Sequence, residues 1–277
     1  MIKSIRRIAT LLLLGLLFNS VAQGQDLFNG TEPISFTFMQ NVQATQNIGG
    51  YPILNLGNEL ALIHLGTTFS TGTASGIPLG NAYLADVRGG KFFGAVTIRA
   101  NLSIFGNARD WTDEPCKSEN YLWKKSTGGP FRNINCVSIN YIVRYFVSPT
   151  GAFQQYLILF RDKGIELPPT IVRTIFTRFS DRGRRLIYEV DINPEVFGIE
   201  RDTESIWGSN SWHKTFIQKD VKKVEFVSNL SKWAEEVQSR MDKAFDKESD
   251  AFARMPEFSS YFKKTPLPKP TNSSKKG

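Results

Sequence analysis

The feature that most constrains this chain is a change of period. Across residues 34–192 apolar side chains tend to recur at every second position, and from Phe226 they recur at steps of three and four. A period of two marks a strand with one face in a core, and steps of three and four mark an amphipathic helix. The order in which they come, strands first and the helix last, predicts an α+β fold. It is an antiparallel sheet of hairpins with one long C-terminal amphipathic helix packed on it.

The helical stripe runs from Phe226 through Leu230, Trp233, Val237, Met241 and Phe245 to Met255. At about 100° per residue it spans roughly 120°, so it can bury against one layer. Its opposite face carries Lys232, Glu235, Glu236, Asp242 and Lys243 and reads as solvated. Pro256 cannot continue the helix. About 30 residues would make a rod of about 45 Å lying across the sheet.

The strands are read as follows. Ile34, Phe36 and Phe38 alternate with Ser35 and Thr37, and 60–69 is a second candidate. Arg88-Gly89-Gly90-Lys91 joins a strand at 83–87 to a long one over 92–104; paired glycines suit a tight hairpin because they take positive φ cheaply. On the long strand Phe92, Val96, Ile98 and Ala100 share an inner face, and Thr97, Arg99 and Asn101 share a wet one. A strand over 137–147, the turn Ser148-Pro149-Thr150-Gly151 and a returning strand over 153–160 form the next hairpin. Strands at 171–179 and 186–192 form the last, and its arginines (Arg173, Arg178, Arg182, Arg184, Arg185) read as a solvated tip offset by Asp181, Glu189 and Asp191.

The ends of the chain suggest an address. Lys3, Arg6 and Arg7 precede an apolar run over 8–18, and small residues follow at Ala22 and Gly24. That is the layout of a cleaved secretory signal peptide over 1–24. The run is shorter than the roughly 20 residues that span a bilayer, so the chain is expected to be periplasmic or secreted rather than membrane-spanning. Residues 25–262 are expected to form one domain. Residues 263–277, with Leu267 the one large apolar side chain, read as a disordered basic tail.

The formal charge of +8 does not point to nucleic acid. Of 34 basic residues, three precede the apolar run and five follow residue 262, which leaves 26 facing 26 acidic ones in the body. A nucleic-acid binder would keep its excess on the folded part. Cys116 and Cys136, twenty positions apart in an exported chain, are expected to form a disulfide that ties an irregular excursion over 107–135 at its base. Closing such a loop stabilises by roughly 3 kcal/mol in the chain-entropy model. With two cysteines and two histidines, no metal and no cofactor are expected.

Candidate chemistry is sparse. His64 lies in an apolar strand and reads as a core residue. The segment holding Trp207, Asn210, Ser211, Trp212 and His213 could cradle a polar or sugar ligand, or could plug the edge of the core. Asp110, Asp113 and Glu114 read as loop solvation, since neighbours in sequence seldom form the separated carboxylate pair of a glycosidase. The expected function is a non-catalytic binding or support module of the cell envelope, its partner another envelope protein or a polar ligand. The alternative is a periplasmic hydrolase with His213 as general base and Asp110 or Asp220 as acid. N-terminal sequencing of exported material should find the mature chain starting at Gln25 or Gln23; a full-length chain retained in the membrane would overturn the export reading.

Overall fold

The computed structural model describes residues 25–42, 46–54, 56, 60–70, 76–103, 116, 120–128, 133–143, 153–180, 183–245, 256 and 258–262. The expected signal, the basic tail, the turn at 148–151 and the acidic cluster at 110–114 lie outside them. Eight strands form one sheet: β1 (Gln40–Val42), β2 (Leu60–Phe69), β3 (Pro78–Arg88), β4 (Lys91–Asn101), β5 (Trp123–Ser126), β6 (Asn135–Val143), β7 (Thr170–Phe179) and β8 (Arg185–Ile192). Among the described residues two helices of ten residues or more accompany them, α1 (Phe153–Asp162) and α2 (Val221–Phe245). The spatial order is β1-β2-β3-β4-β8-β7-β6-β5, and every neighbouring pair is antiparallel. The fold is α+β, with α2 packed on the sheet.

Two meanders of four strands therefore meet at one seam, where β4 pairs β8 from Gly94 opposite Ile192 to Ala100 opposite Leu186. A side chain on Gly94 would bring a carbon within 2.5 Å of the Asp191 carbonyl oxygen, so the seam closes only over glycine. The hairpin from β3 to β4 turns at Gly89 and Gly90, with φ of 56° and 76°, the left-handed pair that a two-residue connection requires. Both edges of the sheet are short, which limits open pairing.

Over β5, β6 and β7 the first face of the sheet is covered by α2, and over β3 it is met by Phe28 and Ile48. Phe226, Leu230, Trp233, Ala234, Val237, Met241 and Phe245 are buried against Val137, Ile139, Val172, Phe176, Tyr188 and Val190. The helix begins five residues before the first expected stripe residue, because Asp220 caps it: its Oδ1 accepts the N–H groups of Lys222 (3.0 Å) and Lys223 (3.3 Å). Register along the sheet is set by polar contacts. Asn135 donates to Asp242 and accepts from Gln238 (2.9 Å), while the Arg178 guanidinium pairs with Asp242 at 3.0 Å. Asp242 was expected to face water; β6 and β7 recruit it instead.

The second face is not the wet one expected. The segment over 153–160 is helical, not a returning strand. In α1, Leu157 and Phe160 are buried over Phe92, Ala95 and Ile171. A short apolar run fits either period, and here the uncovered face of the sheet selects the helix. Ile158 and Leu159 point outward as the cost of that choice. Between α1 and the Cys116–Cys136 disulfide, whose Cα atoms are 5.9 Å apart, this face carries charges. Arg173 chelates the fully buried Asp191 (2.6 and 2.8 Å) and reaches Glu189 at 2.9 Å, which also pairs with Arg99.

Two further expectations fail for local reasons. Phe92 does not share a face with Val96, because a bulge opposite Asp86 and Val87 leaves Phe93 as an extra residue and flips the parity. Ile34, Phe36 and Phe38 do not form a strand. The chain wraps the sheet edge, with Ile34 and Phe36 on the first core and Phe38 on the second, and turns through Met39 at φ 64°. The arginines of the last hairpin are not a solvated tip either: Arg178 is buried against α2, and Arg184 donates to the Phe245 carbonyl (2.6 Å) and lies over its ring. Arg182 and Asp181 lie outside the described residues.

Trp233 is the centre of the helix contact. It meets Phe176 and Phe258 edge-on at 5.7 and 5.1 Å, and its indole N–H donates to the Pro256 carbonyl. Trp233→Ala should cost about 3–5 kcal/mol in urea unfolding; a loss under about 1 kcal/mol would show that α2 is not a core element.

Candidate functional site

The segment from Asp202 to Asp220 connects β8 to α2 and holds the four residues singled out from the sequence. It has little regular structure, so side chains organise it. Asp202 accepts from the backbone of Glu204 and Ser211 (2.9 Å each) and from the Ser211 hydroxyl. Asn210 donates to the Glu204 carbonyl (2.8 Å) and accepts from the Trp212 N–H (3.0 Å). Such contacts two residues on are the turns that Asp and Asn favour.

These contacts divide the four candidates. Asn210 and Trp212 are 0% and 1% exposed and belong to the scaffold. Trp212 packs edge-on to Phe226, and the buried ammonium of Lys223 lies 5.3 Å over its ring. Trp207 and His213 come together at the surface. The Trp207 ring stacks on Tyr141 at 5.5 Å, and the Tyr141 hydroxyl donates to the Trp207 carbonyl at 2.6 Å. Burial, helped by the charge of Asp202, pushes that phenol up to about 12. His213 stands edge-on to Trp207 at 4.7 Å, and its Nδ1 accepts the N–H of Thr215.

Of the two candidate acids for a hydrolase, Asp110 lies outside the described residues and Asp220 is not joined to His213. Among the described residues no carboxylate is hydrogen-bonded to His213, and Asp220 is the cap of α2. Ser211 is engaged by Asp202 and by the Lys223 ammonium, which also lies 3.7 Å from Asp220. His64 is half-buried, and burial lowers its pKa, as for a histidine kept in the scaffold.

A second feature was not read from the sequence. A groove of about 570 Å³ opens between the turn after β8, the first half of α2 and the short helical turn Phe258–Phe262. Phe197, Phe226 and Phe262 form its floor, and Lys222, Glu225 and Asn229 form the wall on α2. The opposite wall is pinned where the Tyr261 hydroxyl donates to Glu236. The volume lies in the range of small-molecule sites. Lys222, Glu225 and Asn229 do stand one and two turns apart in the sequence, but only the arrival of Phe258–Phe262 makes a groove of that helix face.

No family model matches this chain, and neither a curated protein nor a solved structure matches it. Among the described residues no helix is long and apolar enough to cross a membrane.

Asp202 holds this connection to α2 together. Burial alone would raise its carboxyl pKa, but the hydrogen bonds from Ser211 and Glu204, with the Lys223 charge, bring it below the ordinary value. A folded pKa below the unfolded one stabilises above the unfolded pKa of about 3.9 and stops doing so as pH falls through the folded value. Asp202→Asn should therefore cost about 1.5–3 kcal/mol at neutral pH, the range for hydrogen bonds to a charged group. The difference from wild type should shrink in acid, below about pH 4. Unfolding curves across the acid range check this; a pH-independent difference would overturn the assignment.

Proposed function

We propose that this is an exported protein of the cell envelope, periplasmic or secreted, that binds a ligand or partner without transforming it. The observation that carries the reading is where the candidate catalytic groups are spent. His213 accepts a backbone N–H and braces Trp207, Ser211 is held by Asp202 and Lys223, and Asp220 caps a helix. The export half of the proposal rests on the charged and apolar run at 3–18, and a disulfide between Cys116 and Cys136 is consistent with it.

The alternative, a hydrolase with His213 as general base, is tested directly. A screen of ester, peptide and glycan substrates should give no turnover that depends on His213. Turnover falling about 10²-fold or more in His213→Ala would replace the binding reading with the enzymatic one.

A further inference from the structure

We infer that the groove beside α2 is a site for a short zwitterionic peptide in extended conformation. The inference rests on the binding reading above and names the site and ligand class that reading leaves open. Three consecutive polar side chains on one face of α2 line the groove: Lys222, Glu225 and Asn229. Among the described residues neither charge has an ion-pair partner, and the Asn229 carboxamide has no hydrogen bond. Lys222 and Glu225 are exposed, at i and i+3. Other polar groups of the helix are taken up by the fold, Lys223 by Asp202 and Asp220, Glu236 by Tyr261 and Arg240, and Asp242 by Arg178, whereas Lys232 and Lys243 are exposed like Lys222 but do not line the groove.

The three free groups supply a cation, an anion, and a donor–acceptor pair. Their complement is a molecule with a carboxylate, an ammonium and an amide, which is the inventory of a peptide with free termini or with side chains of opposite charge. Size agrees with this. From Lys222 to Asn229 the helix rises about 10 Å, and about three residues of extended chain cover the same distance. The floor formed by the edges of Phe197, Phe226 and Phe262 would take one apolar side chain. The Tyr261–Glu236 hydrogen bond and the Trp233–Pro256 hydrogen bond hold the far wall in place, so the site is formed before the ligand arrives.

The test is calorimetric titration of the full mature chain with two tripeptides of sequence Ala-Phe-Ala. One has free termini; the other is acetylated and amidated, so it keeps the amides and the phenyl group and loses both charges. The free peptide should bind about tenfold more tightly. Lys222→Met and Glu225→Gln should each weaken it about threefold while leaving the blocked peptide unchanged, as expected of partly exposed charge pairs. Asn229→Trp should fill the groove and abolish binding of both, with the thermal midpoint retained. Equal affinity for the two peptides, indifference to both charge variants, or no saturable binding at millimolar peptide would each overturn the inference. None of these results bears on the hydrolase screen, so the two readings fail separately.

Discussion

An eight-stranded antiparallel sheet has two faces to keep from water, and among the described residues one long helix, α2, is there to cover them. That shortage shapes the rest of the molecule. α2 takes the part of the first face formed by β5, β6 and β7, its buried stripe running from Phe226 to Phe245, while Phe28 and Ile48 close over β3 at Gly80. The second face is closed piecemeal: α1 covers one end, Cys116 is tied over the other by its bond to Cys136, and a ladder of arginines and carboxylates fills the middle. Charges are tolerable there because each buried carboxylate is met by a guanidinium with matching geometry. Removing one partner would strand the other, so the ladder is held as a unit.

Polar contacts do a second job, which is to decide where the helix sits. An apolar stripe can slide by a turn along a sheet at modest loss, since hydrophobic contact is not directional. The Asn135, Gln238, Asp242 and Arg178 cluster removes that freedom at one end, and the Asp202, Ser211, Lys223 and Asp220 cluster removes it at the other. With both ends held, the outward face of the first turns of α2 is presented at a defined height beside Phe197 and Phe258–Phe262. The groove is a consequence of that placement.

Much of the fold was legible in the residues. Gly89-Gly90, the alternation in β6 and β7 and the stripe from Phe226 to Phe245 each report a local preference, and each is found where the pattern puts it. The disulfide was legible from two cysteines twenty positions apart in a chain read as exported. What was not legible depended on neighbours distant in sequence. The 153–160 run could have been strand or helix until the bare second face selected helix. The parity of Phe92 was lost to a bulge whose cause lies in the pairing with β3. Of the four candidate site residues, hydropathy could not separate Trp207 from Trp212, yet one is 37% exposed and the other fully buried.

The sequence by itself therefore determined the class of fold, the long C-terminal helix and the cysteine pair, because these follow from periodicity and chemistry within short windows. Tertiary structure decided which tryptophan is a surface residue, which carboxylates brace the scaffold, and that a groove exists at all. The physical reason is the range of the forces. Strand and helix periods are set between neighbours three or four residues apart, whereas the groove needs residue 197, residues 222–229 and residues 258–262 within a few ångströms, a juxtaposition that only the closing of the core can impose.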